Sequence, residues 1–233
     1  MQPTIARSFC TLFALIAALS FSPAHVAQAQ DYDWRAVLSQ SEKVQLNVDT
    51  SFETSKKRMV PVHFSMGVPF AKETLITRTR FPETQGNLGE MQFLSPDQTL
   101  LEFITFSTGT VNGATPDERM KNLFGVIDNQ VYPSLTPPET AKNLGGRITQ
   151  VAGHPAVEYL ALFDDPQQGA VAARIVGVIA PNNRDAVFFI QQTMRERMGL
   201  KDVDELAKTF GGTMLESLTF QAYRDASGAL VAF

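Results

Sequence analysis

Cysteine is nearly absent from this chain of 233 residues, in which the single example is Cys10. Cys10 lies in an N-terminal segment with the features of a cleaved export signal, so the mature chain would have no disulfide, thiol nucleophile or thiolate metal ligand. A domain of about 200 residues does not need disulfides, because folding a chain of that size buries about 70% of its surface. The scarcity of cysteine therefore excludes thiol chemistry but not a stable fold.

Histidine is also scarce, with three in the chain. His25 lies in the same N-terminal segment, and the other two, His63 and His154, are 91 positions apart. They have neither the HxH nor the HxxxH spacing of a local metal site, and two isolated imidazoles are too few ligands for the usual centres. We therefore expect structural roles for both histidines, and no metal or other cofactor.

Several enzyme motifs are missing from the sequence. There is no G-x-S-x-G or S-x-x-K motif of the serine enzymes. The phosphate-binding patterns GxxxxGK[ST] and GxGxxG and the EF-hand calcium loop are absent as well. A hydrolase site assembled from residues far apart in the sequence remains an alternative, because catalytic triads need not be local.

The chain also lacks a strong charge of either sign, since its formal net charge is −4. Without residues 1–29, 19 Lys and Arg would face 24 Asp and Glu. Such a mild negative charge gives no electrostatic reason to expect nucleic acid or an anionic membrane surface as a partner.

What the chain does have is the pattern of a secretory signal peptide. A basic start is followed by thirteen uncharged residues, Phe9 to Phe21, and Ala27 and Ala29 are the small residues that a signal peptidase requires. The apolar run is shorter than the roughly 20 residues that span a bilayer, and no cysteine follows it for lipid attachment. We predict a Sec-type signal over 1–29, cleaved before Gln30, and a periplasmic or secreted protein with no transmembrane segment.

Alternating polarity predicts strands in the first half of the mature chain. Val44, Leu46 and Val48 alternate with polar residues, which is typical of a strand with one buried face. Before them, the spacing of apolar residues around Trp34 predicts a short helix. Further strands are expected at 59–66, 74–81, 90–94 and 99–107, with turns at 67–69, 85–87 and 95–98.

The period changes at Thr115. Thr115, Pro116 and Glu118 combine a capping side chain, a proline at the first helical position and a capping box. An amphipathic helix of about four turns is predicted to follow. Pro133, Pro137 and Pro138 are expected to end it and open a loop through Gly145-Gly146. The apolar stripe of the helix consists of Met120, Leu123, Phe124, Ile127 and Val131.

Strands return in the second half. They are expected at 147–151, 156–163, 170–180 and 185–192, with hairpin turns at 164–169 and 181–184. The strand at 170–180 is apolar on both faces, which predicts a central strand covered on both sides. Asp202 then caps a final amphipathic helix, which Gly211-Gly212 should weaken.

This order predicts an α+β fold in which antiparallel meanders carry two main amphipathic helices and a short N-terminal helix. We expect one α+β domain over 56–222. It would follow an extension over 30–55 that contains the short helix and first strand, and precede a tail over 223–233.

The element order and a few local patterns resemble the PsbP/DcrB-like superfamily. The matching stretches are VAGHPAVEYLALF, the paired ARIVGVIA and AVFFIQQ, and the helix that runs into LESLTFQ. The resemblance covers 59–221 and implies a small non-enzymatic domain with a binding or scaffolding role, like the family's lumenal subunits, envelope lipoproteins and secretion chaperones. This chain lacks the lipobox cysteine and the histidine-rich positions of some members, so no functional residue is carried over.

Acidic residues give three candidates for chemistry. The adjacent pair Asp164-Asp165 lies in a predicted turn, where two solvated carboxylates are common. Glu102 and Glu158 lie in predicted strands and matter only if they face inward. Paired-carboxylate glycosidase chemistry stays open for them, because it depends on a distance that the sequence does not give.

Two arginines, Arg78 and Arg80, share one face of a predicted strand with Ile76. They form either a solvent-facing surface or a patch that binds an anion or an acidic partner. We therefore predict a non-enzymatic periplasmic binding or accessory protein that recognises an envelope protein, a peptide or a small ligand. The alternatives are the hydrolase above and a carrier whose apolar cavity would be lined by some of the 17 phenylalanines.

Overall fold

A computed structural model describes residues 32–49, 53–54, 57–58, 62–80, 87–136, 139–224 and 230–231. The strands are β1 (Glu42–Asp49), β2 (Glu53–Thr54), β3 (Lys57–Arg58), β4 (His63–Phe70), β5 (Leu75–Arg80), β6 (Asn87–Leu94), β7 (Leu100–Thr110), β8 (Lys142–Val151), β9 (His154–Asp165), β10 (Gly169–Ile179), β11 (Asp185–Met194), β12 (Thr219–Phe220), β13 (Tyr223–Arg224) and β14 (Leu230–Val231). The α-helices are α1 (Trp34–Ser39), α2 (Pro116–Val126), α3 (Tyr132–Leu135), α4 (Arg195–Met198) and α5 (Phe210–Glu216). A π-helical turn spans Ile127–Val131 and a 3-10 helix spans Val203–Lys208.

The strands form a large antiparallel sheet with a smaller one. The large sheet has seven strands in the order β5-β6-β7-β11-β10-β9-β8, and the small sheet has the order β1-β4-β12. Every pairing in both sheets is antiparallel, and hairpins connect most neighbours. The predicted α+β class with an antiparallel sheet is therefore confirmed.

The large sheet is covered on both faces. On one face its side chains share a core with the small sheet, α1 and α5, and on the other they pack against α2 and the π-helical turn. Strand β10 is buried at every position from Val171 to Ile179, which confirms a central strand covered on both sides. Trp34 of α1 lies in the first core and its indole N–H donates to the Met198 carbonyl at 2.6 Å.

Helix α2 begins with the predicted capping box. The Thr115 hydroxyl accepts from the Glu118 amide at 3.2 Å, and the Glu118 carboxylate accepts from the Thr115 amide at 3.3 Å.

The expectation that prolines end α2 is wrong for Pro133, because the chain passes through the π-helical turn and Pro133 then lies in the first turn of α3. The π-helical turn makes its last hydrogen bond from the Tyr132 amide to the Ile127 carbonyl, directly before Pro133, which has no N–H to continue the series. Pro137 and Pro138, the other two prolines expected to end the helix, lie outside the described residues.

Two segments predicted as a turn and a loop are strands. Strand β4 continues through 67–69 because it pairs with all eight residues of β1, from His63 opposite Asp49 to Phe70 opposite Glu42. Strand β8 begins at Lys142 and contains Gly145-Gly146 at a bulge. Gly145 has a φ of +94°, and a Cβ on Gly146 would lie 2.4 Å from the Tyr159 ring. These glycines therefore permit a bulge and a close contact in place of a loop.

The predicted final helix is split at Thr209. Asp202 caps the 3-10 helix, as predicted, but Thr209 is extended and a separate α5 follows it. Gly211-Gly212 lie in the tightly packed start of α5, where a Cβ on Gly212 would be 2.3 Å from the Leu206 carbonyl oxygen. The glycine pair thus allows α5 to pack closely and is not simply a weak point.

Candidate ligand-binding groove

An apolar groove lies where the edge of the small sheet faces the edge of the large sheet. It has a volume of about 350 Å³, at the lower end of the roughly 300–1,000 Å³ typical of ligand pockets. Strands β1 and β4 form one wall, and β5 and β6 form the other. Its lining, called the mouth groove below, consists of Val44, Gln45, Leu46, Val68, Phe70, Ile76, Arg78 and Met91.

The mouth groove exposes large apolar side chains. Val44 is 54% exposed and Phe70 is 51% exposed. The alternation of Val44, Leu46 and Val48 predicted one buried face, but only Leu46 is fully buried, because the opposing sheet does not cover Val44. Apolar side chains clustered at the surface around a groove are typical of binding sites.

Arg78 is the charged residue of the mouth groove. Its side chain is exposed, and it forms no hydrogen bond or ion pair within the part of the chain that the structure describes. Arg80, the other half of the predicted basic patch, is the last residue of β5, and its side chain lies outside the described residues. The arrangement combines a hydrophobic surface with an unpaired cation, and this combination suits a ligand that is apolar and carries an anionic group.

Glu102 faces inward and is fully buried beneath the start of α5. Its Oε1 accepts from Gln191, Thr193 and Thr209 at 2.6, 2.8 and 2.7 Å, and its Oε2 accepts from the Gly211 amide at 2.7 Å. Burial raises the pKa of Glu102 above its usual range, although the hydroxyl and amide donors act in the opposite direction. The four donors attach α5 to the sheet and leave the carboxylate inaccessible to a substrate.

Glu158 is also buried, and it forms ion pairs that are separate from the hydrogen bonds of Glu102. Its carboxylate accepts from Arg147 and Arg174, both at 2.6 Å, and the side chain of Arg174 is only 6% exposed. Both carboxylates are thus occupied by protein donors. The two residues that the sequence marked as relevant only if inward-facing hold the fold together.

The histidines and the acidic pair occupy structural positions. The His154 ring lies edge-on to Phe220 with 4.8 Å between ring centroids, and burial lowers the pKa of His154. His63 begins β4, on a different strand. Asp165 accepts from the backbone amides of Gln167 and Gln168 at 2.8 Å each, which shapes the β9–β10 turn. Among the described residues, no three His, Cys, Asp or Glu side chains are grouped so that they could hold a metal ion.

The predicted cleavage site, Ala27, Ala29 and Gln30, lies outside the described residues, as does the rest of the predicted signal. In the part of the chain that is described, no helix is both long and apolar enough to cross a membrane.

Comparison with known proteins gives structural likenesses only. No family model and no curated protein sequence matches the chain. Among solved structures, LpqN of Mycobacterium tuberculosis, involved in cell envelope biogenesis, is 10% identical with a TM-score of 0.42, over 82% of this chain and 99% of that one. The Ran-binding protein Mog1p of Saccharomyces cerevisiae is 11% identical with a TM-score of 0.39, over 77% and 95%. PA94 of Pseudomonas aeruginosa is 14% identical with a TM-score of 0.32, over 58% and 80%.

These neighbours are small α+β domains of the Mog1/PsbP fold. At such identities and TM-scores they do not assign the chain to a family, and the resemblance to the PsbP/DcrB-like superfamily stays a prediction.

Proposed function

We propose that this chain is an exported, non-enzymatic binding protein whose binding site is the mouth groove. The observation that carries the proposal is the combination, in one concave surface, of exposed apolar side chains, above all Val44 and Phe70, with Arg78, which has no ion-pair partner among the described residues. The export part of the proposal rests on the sequence pattern of residues 1–29.

The buried acids support a binding role over hydrolysis. Glu102 and Glu158 are engaged by protein donors, and neither lines the mouth groove. The groove offers contact surface and one fixed charge, which are the elements of recognition.

The groove is tested with a fluorescent probe of matching chemistry, anilinonaphthalene sulfonate, which has apolar rings and one anionic group. We expect the double variant Val44→Thr/Phe70→Thr to weaken probe binding about thirtyfold, because each substitution removes about 1 kcal/mol of apolar contact. Threonine keeps the strand propensity at both positions.

Ile148→Thr is the matched control. Ile148 is 69% exposed on β8, at the opposite edge of the large sheet from the groove. Its substitution should leave probe affinity unchanged within about twofold. Equal effects of the groove and control variants would contradict the proposal, because they would show general surface adsorption.

The export part is tested by expressing the full chain in a Gram-negative host. The protein recovered from the periplasm or medium should begin at Gln30, as read by N-terminal sequencing, and Ala29→Leu should block that cleavage because the peptidase requires a small residue. Recovery of an intact N-terminus from the cytoplasm would refute export.

A further inference from the structure

We propose that the mouth groove binds an extended peptide segment that adds as a strand to β5, with an apolar residue and an acidic residue spaced two positions apart. This inference rests on the proposed function and specifies its ligand.

The first support is that β5 is an edge strand. It is the terminal strand of the seven-stranded sheet, and within the described residues it pairs only with β6, in register from Leu75 opposite Leu94 to Arg80 opposite Gly89. The other side of such a strand presents unpaired backbone N–H and C=O groups, which are a template for one more strand.

The second support is the position of the groove beside that edge. Ile76 and Arg78, two residues apart on β5, both line the groove. Alternate residues of an added strand would therefore face the groove as well, while the residues between them face away. The groove-facing residues would contact Val44 and Phe70 on the opposing sheet, which explains why these apolar side chains are exposed in the chain alone.

The third support is charge. The sequence of β5, LITRTR, contains two arginines and no acidic residue, in a chain whose net charge is −4. An antiparallel pair of β5 strands that turned Arg78 of both copies toward the groove would place arginines side by side, and like charges on adjacent strands are unfavourable. An acidic residue opposite Arg78 and an apolar residue opposite Ile76 would instead match both side chains.

A peptide also suits the shape of the groove better than a lipid. An acyl chain is best accommodated where most of its surface is enclosed, whereas Val44 and Phe70 leave the groove open along one side. An extended peptide that lies beside β5 can instead satisfy its backbone N–H and C=O groups by hydrogen bonding to the edge of that strand.

The experiment uses a labelled, end-blocked synthetic peptide in which valine alternates with threonine and one central valine is replaced by glutamate. Fluorescence anisotropy measures its affinity for the full exported protein. Glutamate-to-lysine replacement in the peptide should weaken binding on the order of fivefold or more, because it reverses the charge facing Arg78. Arg78→Gln should weaken the affinity for the glutamate peptide by a similar factor. The same variant should change the affinity for a peptide with glutamine in place of the glutamate by no more than about twofold.

Arg184→Gln is the matched control. Arg184 is exposed in the turn between β10 and β11, away from the groove, so its substitution should change neither affinity.

Backbone N-methylation tests the strand addition itself. In an added edge strand only alternate N–H groups point toward β5. N-methylation of the residues whose N–H groups point toward β5 should therefore abolish binding, whereas N-methylation of the residues between them should be tolerated. Equal tolerance of both sets of N-methylations would overturn the inference.

The outcomes separate this inference from the proposed function. Binding of anilinonaphthalene sulfonate to the groove without binding of the peptide would overturn strand addition and leave the proposed function standing. Loss of both would overturn both. A fatty acid bound to the protein in its native mass spectrum would assign the groove to another occupant and overturn the peptide inference. So would a dimer formed through β5 and detected by sedimentation.

Discussion

Replacing Glu102 with alanine and with glutamine should have opposite consequences for stability. Glu102→Ala removes the acceptor for four donors and, within the described residues, leaves the Gly211 amide unsatisfied in the core. Gln191 and Thr209, by contrast, keep their hydrogen bonds to the Leu206 carbonyl. Each unsatisfied buried group costs about 1–3 kcal/mol. With the cavity that alanine leaves, we expect a loss of about 3–5 kcal/mol, a large part of the roughly 5–15 kcal/mol that stabilises a typical domain.

Glu102→Gln keeps the shape of the side chain and removes its charge. Its carbonyl oxygen can accept from the Gly211 amide, and its NH2 group can donate to the hydroxyls of Thr193 and Thr209. Because burial raises the pKa of Glu102 in the folded state, the stabilisation from this group is present below its unfolded value of about 4.3 and is lost as pH rises through the folded pKa. The free energy of unfolding of Glu102→Gln should therefore rise relative to wild type as the pH increases above about 4.

Urea unfolding monitored by the fluorescence of Trp34 measures both effects. Trp34 is the single tryptophan, it is 4% exposed, and its ring lies 6.3 Å from that of Phe210 in α5. Glu139→Gln, at an exposed position, is the control for charge removal. If Glu102→Gln loses as much stability as Glu102→Ala, and loses more at neutral than at acidic pH, an ionised carboxylate is favoured at this site and the reasoning from burial is refuted.

Three further predictions are read out by the same unfolding assay. Glu158→Ala should cost about 3–5 kcal/mol because it leaves the buried Arg174 guanidinium with only the more distant Glu216 carboxylate, at 3.9 Å. Arg147→Ala should cost under about 1 kcal/mol because that side chain is 65% exposed, and equal losses for the two variants would contradict this prediction. Thr115→Ala should cost about 1 kcal/mol through loss of the capping box, and no loss would mean that tertiary contacts alone fix the start of α2. Gly125→Ala should stabilise by up to about 1 kcal/mol because its Cβ meets nothing closer than 3.9 Å, whereas Gly212→Ala should destabilise strongly because its Cβ would meet backbone at 2.3 Å; equal effects would refute the packing explanation.

Local signals predicted the elements whose causes are local. The capping box at Thr115 and the hairpin turns at 164–169 and 181–184 lie where the sequence placed them, because each depends on residues within a few positions. The predictions for 67–69 and Pro133 were wrong where a neighbouring element decided the conformation. Pairing with β1 keeps β4 extended through Pro69. Among the described residues no strand pairs with the other side of β4 at this point, and proline is tolerated at such positions.

The candidate site was only partly visible in the sequence. Arg78 was singled out beside Ile76 by the period of its strand, and the structure places both in the mouth groove. Phe70 and Val44 carried no signal of exposure, since an alternating apolar pattern is the same whether or not a second sheet covers it.

The sequence by itself determined the α+β class, the capped start of α2 and the doubly buried β10, because hydrophobic period and capping chemistry act over one element. Only the tertiary structure decided that Glu102 is buried, since its donors lie 89 to 109 positions away along the chain. It also decided that the large sheet leaves Val44 of the small sheet uncovered and that an apolar groove lies beside β5. The burial of Glu102 and the exposure of Val44 both depend on how elements far apart in the sequence pack against each other, and no local sequence pattern encodes that packing.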